Sequence, residues 1–256
     1  MFSIFNTFFY EPLFNLLILI YNFIPGHDIG LVIIVLTLVI KLVLYPLSLK
    51  SIKSQKALQD LQPKIEAVKA QYKDQKEKLA SEMMKLYKDE KVSPFSSCLP
   101  LLIQFPFLIA VYWVFRNGLT DQSLDILYSF VNNPGGINSI AFGFIDLSKS
   151  NLILAVLAGV AQFFQVKMLS TKKPEIKVKS SKDEGMMSSM NKQMMYFMPI
   201  MTVVIGMGLP SGLMLYWMVN AVFTIGQQLL TFKKKLIPDV EVIDAPDVEV
   251  IDTPKS

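Results

Sequence analysis

The sequence predicts an all-α membrane protein, with a bundle of five transmembrane helices around a hydrophilic groove and an amphipathic helical hairpin on the cytoplasmic side. Three observations predict this class. The 256-residue chain is 52% hydrophobic, with a mean hydropathy of +0.42, and several apolar runs are long enough to cross about 30 Å of hydrocarbon as helices. Polar side chains recur at helical spacing inside these runs. Lysine-rich segments separate the runs and orient the chain.

Residues 1–28 predict a helix that lies in the membrane interface, because polar residues and Pro12 interrupt an apolar, aromatic segment. A sixth span is the alternative, although residues 13–24 alone are too short to cross. His27 is interpreted as an interfacial polar residue. The segment lacks the basic region and small-residue cleavage site of a secretory signal. We therefore expect a mature, multi-pass protein of the bacterial plasma (inner) membrane.

The first predicted span, about residues 29–49, carries a lysine near its middle. Four polar residues of the run LVIIVLTLVIKLVLYPLS recur at helical spacing: Thr37, Lys41, Tyr45 and Ser48. They are expected to share one face of a helix. A lysine at a helix centre costs about 2.5–3.5 kcal/mol on insertion scales, so we expect Lys41 to face water, a partner or a substrate. Snorkelling of its side chain to the cytoplasmic interface is the alternative.

Residues 51–92 predict a helical hairpin outside the membrane. Lysines and acidic residues interleave with apolar residues that are spaced alternately three and four apart. This pattern is typical of amphipathic helices with a narrow apolar seam. Residues 73–75 are the expected turn between two antiparallel helices. A solvated linker is the alternative, and the regularity of the seam favours the hairpin.

Four further spans are predicted at about residues 95–115, 151–169, 194–209 and 211–231, and the last two are expected to form a tight antiparallel pair. Polar residues of interest in these spans are Gln104, Gln162, Gln165, Tyr216, Trp217, Asn220, Thr224 and Gln227. If the helices converge, such side chains would line a water-containing groove with Lys41 as its positive charge. The alternative is that the glutamines and asparagine join helices to one another, at about 0.6 kcal/mol for each contact.

Charge predicts the orientation of the chain. The hairpin, residues 170–193 and residues 233–235 are rich in lysine, whereas the first 30 residues contain no Lys or Arg. Positive loops stay inside, so the N-terminus is expected outside and the hairpin and C-terminus in the cytoplasm. Residues 236–256 contain the repeat PDVEVIDA and PDVEVIDT, whose acidic residues and prolines predict a disordered tail.

The motifs argue against an enzyme. The chain has no HExxH, GxSxG or Walker-type loop, and it has one cysteine and one histidine. Asp and Glu are absent from the second to fifth predicted spans, which disfavours a paired-aspartate protease or a carboxylate proton relay. We expect no catalytic residues, no metal, no cofactor and no recognition of a specific nucleic-acid sequence.

Four stretches carry a specific resemblance: TLVIKLVLYPLSLKS, LQPKIEAVKAQYKDQKEKLASEMMKLYK, CLPLLIQFPFLIAVYW and LPSGLMLYWMVN. Together they resemble the YidC membrane insertase family of the Oxa superfamily, in the short bacterial form. The resemblance implies five core helices around a groove that is open to the cytoplasm and to lipid but closed outside. Lys41 stands where the family usually has arginine, which keeps the charge but loses the rigid guanidinium fork.

The resemblance also implies roles and partners. Gln104 and Trp217 match motif positions associated with function, and Gln165 matches the polar residue of the third helix better than Gln162. The implied partners are nascent membrane proteins, the phospholipid bilayer and, for some members, the Sec translocon and the ribosome. The acidic tail gives little support to ribosome docking through the C-terminus. The predicted function is a membrane protein insertase and chaperone. The alternatives are a small anion transporter or channel that uses Lys41, and a purely structural assembly chaperone.

Overall fold

The computed structural model describes residues 2–72, 75–93, 99–117, 121–168 and 195–233, and most of them are helical. The α-helices of these ranges are α1 (Glu11–Phe23), α2 (Ile29–Val43), α3 (Tyr45–Gln71), α4 (Lys76–Asp89), α5 (Leu99–Asn117), α6 (Leu152–Met168), α7 (Met195–Gly206) and α8 (Ser211–Lys233). The short helix Phe2–Phe5 and the π-helical turn Asn6–Tyr10 precede α1. Strands β1 (Ile140–Ala141) and β2 (Ile145–Asp146) pair antiparallel.

Helix α8 lies at the centre of the fold. It packs against α2, α3, α5 and α6. Its N-terminal half is buried on all sides at Leu213, Met214, Leu215 and Tyr216, which is typical of a helix enclosed by others. The hydrophobic core extends from these residues to α1, α2, α5 and α6.

Helices α6 and α7 approach each other closely at Gly159. A Cβ atom at this position would lie 2.5 Å from the Val203 side chain and 3.0 Å from the carbonyl oxygen of Pro199. Small residues of this kind let the backbones of membrane helices pack in close contact. A turn after Gly206 then leads into α8. The tight antiparallel pair of the last two spans stays a prediction.

The chain bends by 71° between α2 and α3. Pro46 lies in the first turn of α3. Proline lacks a backbone N–H, and its ring clashes with the carbonyl four residues earlier, so α2 ends at Val43 and Leu44 forms the bend. The predicted single helix through residue 49 is therefore wrong, and Ser48 belongs to the helix that continues into the hairpin.

The predicted hairpin contains two helices, α3 and α4. Helix α3 buries Leu61 and Ile65, and the ammonium of Lys64 lies 2.6 Å from the carboxylate of Glu90 across the pair. Residues 73 and 74 of the expected turn lie outside the described residues, as do Cys98, the loop 170–193 and the tail 236–256. The cytoplasmic position of the hairpin stays a prediction.

The N-terminal helix packs one face into the core. The buried residues of α1 are Leu13, Phe14, Asn15, Leu17, Ile18 and Tyr21. Their spacing follows one side of an α-helix, and this side contacts α2 and α5. The placement of α1 in the membrane interface stays a prediction.

Residues 121–150, which we call the α5–α6 loop, contain short regular elements of their own. The loop contains a 3-10 helix, Asp121–Ile126, and the β1–β2 hairpin. It also holds the start of α8, since the Ser211 N–H donates to the Lys149 carbonyl at 2.8 Å and the Gly212 N–H donates to the Leu147 carbonyl at 3.1 Å.

Length and hydropathy identify one unbroken membrane span among the described residues, Ser211–Phe232, with a mean hydropathy of 1.3. Helices α2 and α3 pass the same test only as a bent pair, and α6 and α7 are apolar but shorter. The structure therefore shows a mostly helical protein with one clear apolar span. The five-helix bundle and its groove stay predictions.

Candidate functional site

Lys41 is buried against the central helix. Its side chain is 8% exposed, and its Nζ donates a hydrogen bond to Thr224 Oγ1 at 3.0 Å. Thr224 in turn donates to the carbonyl of Asn220 at 2.8 Å. Lys41 makes no ion pair with a carboxylate among the described residues. Because an ammonium carries three donors, the contact with Thr224 leaves hydrogen-bonding capacity at a buried positive charge.

Thr37 and Tyr45 have different environments from Lys41. Thr37 is fully buried, and its hydroxyl donates to the Ile33 carbonyl of its own helix at 2.6 Å. Tyr45 follows the bend at Leu44 and is 39% exposed. The prediction that Tyr45 continues the face of Lys41 along one straight helix is therefore wrong, because the break before Pro46 changes the direction of the chain.

Gln104 connects α5 to α8. Its amide donates a hydrogen bond to the hydroxyl of Tyr216, which is itself buried. Trp217 is half-buried and packs against the hydrophobic core. The structure thus brings Gln104 and Tyr216 together at one end of α8, and Lys41 and Thr224 together two turns further along the same helix.

Gln162 contacts α7 through a hydrogen bond. The hydroxyl of Thr202 donates to Gln162 Oε1, so Gln162 joins α6 to α7, as the alternative interpretation of the membrane glutamines expected. Gln165, one turn later, is half-buried. For these two residues, a place in a substrate groove stays a prediction.

The sequence prediction includes Ser48 and Gln227 but omits Gln228, which the structure buries on α8. Ser48 Oγ donates to Gln227 Oε1 at 2.9 Å. Gln228 is 1% exposed. The signal for Gln228 is a polar residue at every fourth position from Tyr216 through Asn220 and Thr224. The prediction instead ends this face at the neighbouring Gln227. We call Tyr216, Asn220, Thr224 and Gln228 the polar row.

These features define a class of protein: a helical membrane protein in which one buried cation and several uncharged hydrogen-bonding side chains meet at a central helix. A family model described as 60Kd inner membrane protein matches residues 19–237. The chain belongs to this family of bacterial inner membrane proteins. The resemblance to YidC-type insertases is confirmed by this match and by the relatives below.

The relatives are named membrane protein insertase YidC. The chain is 36% identical to one from Clostridium tetani over 210 residues, which are 82% of this chain and 84% of the relative. It is 34% identical to one from Fusobacterium nucleatum over 207 residues, or 81% of this chain and 87% of the relative. A third, from Actinobacillus succinogenes, is 36% identical over 226 residues, which are 87% of this chain but 36% of that longer relative. These names support the membrane insertase function.

Proposed function

We propose that the chain inserts nascent membrane proteins into the bilayer by passing their polar flanks along the polar row beside Lys41. Family membership and the insertase names of the relatives support the activity. The observation that carries the mechanism is the position of Lys41, a buried cation whose described partner is a neutral hydroxyl. A buried charge without a counter-charge is unfavourable, and a passing carboxylate would relieve that cost.

The proposed mechanism needs no covalent chemistry. A polar or acidic flank is expensive to move through hydrocarbon, because its groups lose their hydrogen bonds to water. Side chains of the polar row replace part of that hydration along the path. The driving force is burial of the apolar segment of the substrate in lipid, and the membrane potential acts on acidic residues of the flank.

We also propose that the chain has the architecture that the sequence predicts. Residues 1–28 lie in the outer interface, residues 29–235 form a five-span core with a groove open to the cytoplasm, and residues 236–256 form a disordered tail. The other groove residues are Thr37, Tyr45, Gln104, Gln165 and Trp217, whereas Gln162 joins α6 to α7 through Thr202. The hairpin α3–α4 receives the substrate in the cytoplasm. The chain works alone or beside the Sec translocon, and the acidic tail gives little support to ribosome docking through the C-terminus.

The test is insertion of a single-span substrate into liposomes that contain only this chain, scored by protease protection of the translocated flank. Two matched substrates carry either an acidic flank or a neutral polar flank of equal length. With Lys41→Ala, we expect insertion of the acidic substrate to fall by about tenfold to a hundredfold, because one hydrogen bond to a charged group is worth about 1.5–3 kcal/mol. The neutral substrate should be affected less.

Two control variants locate the effect. Lys41→Arg keeps the positive charge and should restore insertion of the acidic substrate. Lys167→Ala removes a lysine at the end of α6, outside the polar row, and should leave insertion unchanged. Equal insertion of both substrates by the Lys41→Ala variant and the unaltered chain would refute the role of the charge.

The same buried lysine also suits an anion transporter or channel, which is the second candidate. Its distinguishing measurement is flux of a small anion from liposomes that contain the purified chain, compared with empty vesicles. Anion flux that disappears with Lys41→Ala, without any insertion activity, would favour this candidate over the insertase.

A further inference from the structure

Three residues of α8 bury amide atoms that lack a hydrogen-bond partner in the described part of the chain. Both amide atoms of Gln228 are unpaired, as are Nε2 of Gln227 and Oδ1 of Asn220. Gln228 is the most enclosed of the three. Burial of an amide without a compensating hydrogen bond is unfavourable, and leucines occupy the next two positions, 229 and 230. A helix built only for packing would favour an apolar residue at 228 too.

The helix geometry places Gln228 between two contacts. Thr224, four residues before it, bonds to Lys41 of α2. Phe232, four residues after it, lies with its ring centroid 5.7 Å from the ammonium of Lys56 on α3. Residues four apart on an α-helix are neighbours on its surface, about 6 Å apart along the axis. Gln228 therefore faces the region where the bend between α2 and α3 meets α8.

The same region contains a second unused donor. Ser48, in the first turn of α3, donates a hydrogen bond to Gln227 Oε1. Gln227 Nε2 has no partner among the described residues. Ser51, one turn further along α3, is buried and accepts from the Gln55 amide at 3.3 Å. The interface between the base of the hairpin and α8 is thus polar, and Gln227 Nε2 and both amide atoms of Gln228 have no partner there among the described residues.

We propose that Gln228, together with the free amide N–H of Gln227, binds the peptide backbone of the substrate flank where the hairpin meets α8. The inference rests on the insertion path proposed above. A primary amide offers both donors and an acceptor, which complements the C=O and N–H groups of an extended peptide. This site therefore takes polar flanks whatever their side-chain charge, whereas Lys41 acts on acidic flanks.

The first test compares Gln228→Leu with Lys41→Ala on the acidic and the neutral polar substrate. Gln228→Leu should lower insertion of both substrates by about threefold to tenfold, as expected for the loss of one or two neutral hydrogen bonds. The thermal unfolding midpoint should stay the same or rise, because an unpaired buried amide has been replaced by an apolar group. Unchanged insertion would overturn the proposal, and so would a loss of insertion accompanied by a lower midpoint.

A second test detects the contact itself. In the full chain with Cys98→Ser, a cysteine is placed at Gln228→Cys or at Leu230→Cys, and a second cysteine in the substrate flank. Leu230 is the matched control because its side chain is 69% exposed on the outside of the same helix turn. During insertion, a thiol cross-linker should join the flank to position 228 and not to position 230. Equal cross-linking at both positions would contradict the site.

The outcomes separate this inference from the insertion mechanism. If Lys41→Ala impairs the acidic substrate while Gln228→Leu changes neither, the charged path stands and the backbone site fails. If Gln228→Leu impairs both substrates and Lys41→Ala impairs neither, the backbone site stands and the role of the charge fails. Absence of insertion by the unaltered, folded chain would refute both.

Discussion

The α5–α6 loop and the polar row of α8 differ in the hydrogen bonding of their buried polar groups. In the loop, hydrogen bonds satisfy the polar groups that face the helices. The Asn15 side chain donates to the Ile126 carbonyl at 3.1 Å and accepts from the Tyr128 N–H at 2.6 Å. In the polar row, Gln228 and Asn220 retain buried amide atoms with no partner among the described residues.

The loop resembles a fixed cap over one end of the helices. Asp28 accepts from the first N–H groups of α2, at Gly30 and Leu31, and from the Phe142 N–H at 2.5 Å. Within the loop, hydrogen bonds from Ser148 and the nearby Lys149 ammonium hold the pKa of the Asp146 carboxyl well below its usual range. Groups that are already paired have little hydrogen-bonding capacity left for a substrate chain. This end of the protein is therefore suited to close the helix bundle against substrate.

Two members of the polar row, Asn220 and Gln228, have the opposite property, because their unpaired amide atoms can bond to a substrate that binds only transiently. A permanently paired row would add stability but would give a substrate flank nothing to bind. Satisfied polar groups thus hold the loop in place, whereas the part proposed to act combines the pairs Lys41–Thr224 and Gln104–Tyr216 with unsatisfied atoms at Asn220 and Gln228. Substitutions should therefore destabilise the fold at the loop and impair insertion at the row.

The largest effect on stability is expected for Asn15→Leu. The substitution leaves the Ile126 carbonyl and the Tyr128 N–H without their partner. The free energy of unfolding should fall by about 2–4 kcal/mol, since each buried polar group left unpaired costs about 1–3 kcal/mol. The measurement is the thermal unfolding midpoint of the detergent-solubilised chain.

Asn133→Ala is the matched control for this prediction. Asn133 also accepts a backbone hydrogen bond, from the Gly135 N–H at 2.8 Å, but it does so in an exposed turn of the same loop. Its substitution should change the midpoint much less. A similar loss in both variants would show that burial does not distinguish the two asparagines, and the description of the loop as a sealed cap would fail.

A smaller loss is expected for Asp28→Ala. The variant removes the N-cap of α2, which is typically worth about 0.5–2 kcal/mol, and also the bond to Phe142. Asp28→Asn keeps one oxygen that can accept from the first N–H groups of α2. Its amide N–H then faces the Phe142 N–H, and because both groups are donors, the bond to Phe142 is lost. Its midpoint should lie between those of the unaltered chain and Asp28→Ala. Equal midpoints for both variants would show that the cap contributes nothing measurable.

Much of the helical organisation could be predicted from sequence, for physical reasons that act locally. Apolar runs and the seam of the hairpin depend on spacing within one helix, and the position of α8 after Pro210 follows from a short turn. Pro46 is a local signal for the bend at Leu44. The helical spacing of Thr37, Lys41 and Ser48 instead favours an unbroken helix, and the sequence prediction followed that spacing.

The partners of the polar side chains could not be predicted in this way. Spacing indicates which residues share a face, but not which neighbouring helix that face meets. Lys41 bonds to Thr224 across 183 positions of sequence, and Asn15 to Tyr128 across 113. The glutamines at 104, 162 and 228 have identical chemistry, so spacing alone does not predict their different partners. One bonds to a tyrosine, one to a threonine, and one has no partner among the described residues.

The smallest effect on stability is expected at a third place, the contact between Gln162 of α6 and Thr202 of α7. This pair is buried and satisfied, so it should behave like the loop and not like the polar row. A double-mutant cycle with Gln162→Leu and Thr202→Val should give a coupling energy of about 0.6 kcal/mol, as for other hydrogen bonds between membrane helices. Insertion of both test substrates should stay near that of the unaltered chain. If Gln162→Leu instead lowers insertion without lowering the unfolding midpoint, Gln162 acts on the substrate, and pairing in the structure does not separate structural from functional polar residues.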